Sequence, residues 1–153
     1  MSLKKFIIIL IALVVLMTGY IFSNSLKNRE DSSTSSEGIV KIIKPIVDPQ
    51  DKIPEDVFHN IIRKLAHMTE FGALGILVAL LSDLLRRYFG RKFISFPFFY
   101  CLLAAVLDEC FQSFSDRSPE VRDVLIDFSG ATLGILFVTV IIFVLIKTKK
   151  IKE

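Results

Sequence analysis

The 153 residues are 52% hydrophobic and 23% charged, but the apolar residues come in long blocks from which charge is absent. Soluble domains are about 45–50% apolar with those residues spread by helix or strand periodicity, so the segregation excludes an ordinary soluble fold. A net charge of +3 without interleaved basic and aromatic residues excludes nucleic acid as a partner, and two cysteines without C-x-x-C spacing exclude a metal finger.

Crossing the hydrocarbon core takes about 20 helical residues. The first candidate span is Phe6–Phe22, preceded by Lys4 and Lys5. Small residues at Ser23 and Ser25 have cleavage-like spacing, yet the apolar run exceeds the roughly 7–15 residues of a signal-peptide core, so a retained anchor is expected. Residues 23–62 read as a polar outer loop with a Ser-rich stretch, DSSTSSEG, followed by VKIIKPIVDPQDKIP. There Ile42–Ile43 and Ile46–Val47 predict a short interfacial helix broken by Pro45 and Pro49. Pro54, with Glu55 and Asp56 behind it, marks the start of a helix that runs through Phe58 and Ile62 into the second span.

That span covers Leu65–Leu85, and the turn RRYFGRK separates it from the third, Phe93–Phe111. Cys101 and Cys110 lie nine residues apart on the third span, too far to bridge at about 1.5 Å per residue. The loop QSFSDRSPEVRD leads to the fourth span, Val124–Ile146, and KTKKIKE closes the chain. The expected fold is all-α: a polytopic membrane bundle of four transmembrane helices, with a polar outer loop carrying a short interfacial helix. Its parts are an anchor at 1–22, the loop at 23–62, a three-helix core at 63–146 and a basic tail at 147–153. Short loops report orientation best, and RRYFGRK holds four basic residues against two in 112–123. Both termini are therefore expected in the cytoplasm.

With that topology, ionisable residues gather at the outer ends of the last three spans. Arg63, His67, Glu70 and Leu74 share one helical face by their i, i+4, i+7, i+11 spacing. Asp108 and Gln112 share a face with Cys101, Ala104 and Ala105, while Glu109 points elsewhere around the same helix. Asp123 and Asp127 share one with Gly130 and Gly134, a small-residue seam along which helices approach closely. An ionised Asp or Arg at the bilayer centre costs about 2.5–3.5 kcal/mol on insertion scales. Pairing or water offsets this, and both signs are present: Arg63, Lys64, Arg117 and Arg122 against Glu70, Asp108, Glu109, Asp123 and Asp127. The pattern predicts a wet, charged pocket open to the outer face; the plainer reading is an ion-pair clasp that fixes helix register.

The stretches RKLAHMTEFGALG (Arg63–Gly75), LDECFQSFSDRS (Leu107–Ser118) and RDVLIDFSGATLG (Arg122–Gly134), with IFSNSLKNREDSSTSSEGIV upstream, resemble the VanZ-like family over roughly residues 20–140. The resemblance implies a polytopic bacterial cell-membrane protein, some of whose relatives confer low-level resistance to the glycopeptide teicoplanin. It implies functional roles for Arg63, His67, Glu70, Asp108, Glu109, Gln112, Arg117, Asp123 and Asp127.

Three functions compete. The leading one is an envelope-associated, non-enzymatic binding or resistance protein without a cofactor, whose partners are membrane lipids, a lipid-linked envelope precursor or a lipoglycopeptide. In it Arg117, Arg122 and Lys64 meet phosphates or carboxylates through charge-assisted hydrogen bonds. The second is a membrane-embedded hydrolase or transferase, with His67 as general base or, with Glu70, Asp108 and Asp123, as a ligand to Mg²⁺ or Mn²⁺. The third is a proton-coupled transporter or accessory subunit, which four spans and a single polar boundary disfavour unless the chain forms a homo-oligomer.

Overall fold

The computed structural model describes residues 2–26, 38, 40–91, 93–114 and 120–152. Its elements are α1 (Leu3–Ser25), α2 (residues 40–47), α3 (Glu55–Phe89), α4 (Ser95–Gln112) and α5 (Val121–Lys152), with no strand among the described residues. Three of these helices are long and apolar enough to cross a membrane: α1, α3 and the Val121–Thr148 part of α5. The fourth expected span, α4, has 18 residues and ends in Asp108, Glu109 and Gln112. It is about 27 Å long against a hydrocarbon core of about 30 Å.

Local chemistry sets the helix ends. Pro54 caps α3 at its N-terminus and Glu55 and Asp56 fill the first turn, where carboxylates meet the positive end of the helix dipole. At the other end Gly90 adopts φ 68°, and its N–H closes on the Arg86 carbonyl at 2.9 Å, a left-handed C-terminal cap that a residue with a side chain would strain. Arg86 and Arg87 pair with Asp83 one turn back, so the acid of this end is neutralised locally. The break expected at Pro45 does not occur, because so short a helix has few i→i−4 bonds for proline to remove. Instead α2 stops at Asp48, the residue before Pro49, where proline disfavours helical backbone.

Only 17% of the most apolar window of α1 and 28% of that of α5 is buried inside the bundle. Leu16, Phe137 and Phe143 are all more than half exposed. Apolar surface on this scale suits contact with lipid rather than water. The inner faces carry Phe71, Leu74 and Val78 of α3, Cys101, Ala104 and Ala105 of α4, Ala131, Ile135 and Val138 of α5, and Ile7, Val14 and Ile21 of α1. A second, smaller cluster packs Val40 of α2 on Phe58 and Ile62 of α3.

The closest pairing is α3 with α5. Gly72 and Gly75 face Gly130, Ala131 and Gly134: a methyl on Gly75 would strike the Ala131 carbonyl, one on Gly130 the Met68 carbonyl, and one on Gly134 the Gly72 carbonyl. Matching residues rise together in number, so α3 and α5 run parallel. Helix α1 packs on α3 and α4. Lys4 lies 6.0 Å from the Tyr88 ring centroid, and at the opposite end Phe22 stacks on Phe111 at 4.9 Å. The N-terminus of α1 therefore lies with the C-terminus of α3, and Ser25 lies with the C-terminus of α4.

Candidate functional site

At the end of the bundle marked by Ser25, four helices present polar residues to one another. The last turn of α1 brings Asn24 and Ser25. Successive turns of α3 bring Arg63, Lys64, His67 and Glu70, the last turns of α4 bring Asp108, Glu109 and Gln112, and the first turns of α5 bring Asp123 and Asp127.

Asp108 is at the centre and fully buried. Ser25 Oγ donates to its Oδ1 at 2.6 Å, and Gln112 Nε2 donates to its Oδ2 at 2.9 Å. Both side-chain oxygens of Asp108 are thus engaged. His67 Nδ1 stands 3.8 Å from Asp108 Oδ2, too long for a hydrogen bond but close enough for strong electrostatic coupling. Charge-assisted hydrogen bonds contribute about 1.5–3 kcal/mol, against about 0.6 kcal/mol for an average interhelical hydrogen bond in a membrane. The Ser25–Asp108 bond thus belongs among the strong tethers of α1 to α4.

Around this centre, Asn24 Nδ2 donates to Glu70 Oε1 at 3.2 Å, a second tether from α1. Lys64 Nζ pairs with Asp123 and lies 3.8 Å from Glu120. Glu109 turns away from Asp108: its Oε1 accepts the Glu120 N–H at 2.6 Å, and its Oε2 is buried without a partner among the described residues.

Arg63, Lys64, His67, Gln112, Asp123, Ile126 and Asp127 line one cavity of about 10 Å³. That is room for about one water-sized species. Beside it, ligand atoms of His67, Asp108 and Asp127 all lie within 4.8 Å of one another, one from each of α3, α4 and α5.

A model of the VanZ/LLP1 family matches residues 6–144. The chain belongs to the VanZ/LLP1 family. No curated protein and no solved structure matches it.

In this VanZ/LLP1 protein, the match begins inside α1 and so takes in the helix that carries Asn24 and Ser25. Of the residues singled out in the sequence, Arg63, His67, Gln112, Asp123 and Asp127 share the cavity, and Asp108 lies against its His67 wall. Glu70 is engaged with α1, and Glu109 with the backbone ahead of α5. Arg117 lies outside the described residues, and Arg122 is exposed. The expected metal set of His67, Glu70, Asp108 and Asp123 differs from the one that converges, because Lys64 occupies Asp123 and Asn24 holds Glu70. Asn24 and Ser25 were missed: Ser25 read as a small residue at cleavage-like spacing and Asn24 as part of the polar loop, and only the packing of α1 brings them to Glu70 and Asp108. Also missed was a roomier cavity of about 450 Å³ beneath α2, lined by Val40, Lys41, Lys44, Pro45, Asp48, Pro49, Asp51 and Glu55.

Proposed function

We propose that this family member crosses the bacterial cell membrane four times with both termini in the cytoplasm, and that its outer polar end binds an anionic, lipid-linked envelope molecule or a lipoglycopeptide. On this reading it contributes low-level resistance to teicoplanin-type antibiotics. One observation carries the reading: Arg63, Lys64, His67, Asp123 and Asp127 meet in one cavity at the polar end of the α3–α5 pair. Lys64 is held by Asp123, which among the described residues leaves Arg63 as the cavity's cation for an incoming phosphate or carboxylate. Because the cavity admits about one water-sized species, the bulk of a ligand would lie over its mouth and only one charged group would approach it.

Native mass spectrometry of the protein in nanodiscs tests this. Phosphatidylglycerol, a polyprenyl phosphate and teicoplanin are each competed against phosphatidylcholine. At least one of the three should be preferred by about tenfold or more, the worth of a single charge-assisted contact of about 1.4 kcal/mol, and Arg63→Ala should remove the preference. Equal binding of all four, unchanged in Arg63→Ala, would overturn the proposal.

A second reading, hydrolysis or group transfer on a headgroup, is favoured by the position of His67, whose imidazole lines the cavity where a general base would be needed and has Nδ1 3.8 Å from Asp108 Oδ2.

A further inference from the structure

We propose that His67, Asp108 and Asp127 bind one divalent cation of the first transition row, with Mn²⁺ and Zn²⁺ the fitting ions. Cation binding stands whether a headgroup docks above it or not.

Three observations converge. First, the ligand atoms of these residues lie within 4.8 Å of one another. An equilateral triangle of that side has its centre about 2.8 Å from each corner, so a contraction of about 0.6–0.8 Å, within reach of side-chain rotation, gives ordinary bonds of about 2.0–2.2 Å. Second, Asp127 is only 3% exposed, lines the cavity and has no hydrogen-bond or ion-pair partner among the described residues. A buried carboxylate without a partner is costly, and a cation offsets that cost directly. Third, the adjoining cavity of about 10 Å³ holds about one water-sized species, which suits the open position left by three protein ligands.

The donor set selects the ion class. Imidazole nitrogen favours Zn²⁺, Fe²⁺, Ni²⁺ and Cu²⁺, while carboxylate oxygens favour Mg²⁺, Ca²⁺ and Mn²⁺. A mixed set with one nitrogen and two carboxylates fits Mn²⁺ or Zn²⁺, and it disfavours Ca²⁺, whose ligands are oxygens throughout. The surrounding residues support the ligands as outer-shell partners do: Ser25 and Gln112 each donate to one oxygen of Asp108 and fix the carboxylate plane. The nearby cation Lys64 is engaged by Asp123 and Glu120, and among the described residues that line the cavity Arg63 is the positive group that would compete for Asp127.

The experiment uses the full chain in nanodiscs, stripped with chelator and equilibrated separately with Mn²⁺, Zn²⁺ and Ca²⁺. Metal retained after desalting is counted by mass spectrometry. Wild type should hold about one Mn²⁺ or Zn²⁺ per chain and markedly less Ca²⁺. Asp127→Asn and His67→Gln should each weaken retention by more than the roughly 10–100-fold typical of losing an outer-shell partner. Asp83→Asn, at the far end of the bundle, should leave retention unchanged. Electron spin echo spectra of Mn²⁺-loaded wild type should show coupling to one imidazole nitrogen, a readout that does not depend on any variant folding. Retention of neither Mn²⁺ nor Zn²⁺ by wild type, bound Mn²⁺ without nitrogen coupling, or equal retention by folded Asp127→Asn would each overturn the site. None of these results depends on lipid preference, so failure here is distinguishable from failure of the headgroup reading.

Discussion

Asp48 shows how a single side chain organises the segment between α2 and α3. Its Oδ2 accepts the Ile53 N–H at 2.6 Å and its Oδ1 the Lys52 N–H at 3.0 Å, closing the turn between α2 and α3. These bonds, that from Ile53 foremost, hold the carboxyl below its ordinary value of 3.8. A carboxyl depressed on folding contributes stability in full above its unfolded value and loses it as pH falls through the folded one. Acidification below the ordinary carboxylate range should therefore release the turn. Hydrogen exchange measured across that window should show the Lys52 and Ile53 amides losing protection in wild type. In Asp48→Asn their protection should already be weak and no longer depend on pH beyond intrinsic exchange. Flat protection in wild type would remove Asp48 from this role.

The same scale shows what single residues reveal in a sequence. Charges inside apolar blocks stand out because the bilayer penalises them, and that contrast made His67, Glu70, Asp108, Asp123 and Asp127 legible. Ser25 and Asn24 carry no such contrast. Their role depends on α1 packing antiparallel to α3 and parallel to α4, a choice that no local pattern encodes. Asp48 was equally silent, since an acidic residue before proline in a polar loop is unremarkable until its amide partners are seen.

Between elements, the governing fact is that lipid tails are as apolar as the helix surfaces, so burial of leucine does little to choose one helix pair over another. Close backbone approach and interhelical hydrogen bonds make that choice. The α3–α5 seam is the strongest case, because three of its glycines have a carbonyl oxygen where a methyl group would stand. Elsewhere in a helix Gly→Ala is favourable by about 1 kcal/mol through propensity. Here overpacking of about 1–3 kcal/mol opposes it. Gly75→Ala, Gly130→Ala and Gly134→Ala should each lower the thermal stability of the detergent-solubilised protein. Gly72→Ala, whose methyl would meet the Gly130 carbonyl at an ordinary 3.5 Å, should be mild, and Gly19→Ala, with nothing within 4 Å, neutral or stabilising. Gly130→Ala proving as neutral or stabilising as Gly19→Ala would mean that propensity, not approach, sets the effect. Half of this seam was legible: Gly130 and Gly134 carry the i, i+4 signature. Gly72 and Gly75, at i, i+3, carry none, and their partnership with α5 emerges only from the fold.

For the whole molecule, charge and packing point to one arrangement. Lys4 reaches Tyr88 at the end bearing Arg86 and Arg87, while Ser25, Asp108 and Asp123 share the other end. A chain whose ends alternate in this way must cross at α4 if α3 and α5 cross in parallel, although α4 is short and polar at its last turn. Its polar residues lie where the bundle covers them, Asp108 and Gln112 both being buried, so the helix can end inside the headgroup region without exposing them to lipid. As a candidate span α4 is less marked than α1, α3 and α5, because those residues lower its apolarity. Cysteine labelling decides the point. In a background with Cys101 and Cys110 replaced by Ser, Ser113→Cys should react with a membrane-impermeant maleimide in intact cells. Arg91→Cys, beyond the left-handed Gly90 turn, should react only after permeabilisation. Both positions are exposed, so labelling reports sidedness rather than burial. Reaction of both from the outside would mean that α4 does not cross, and the reverse pattern would place the His67–Asp108–Asp127 cluster on the cytoplasmic face, where an extracellular glycopeptide could not reach it.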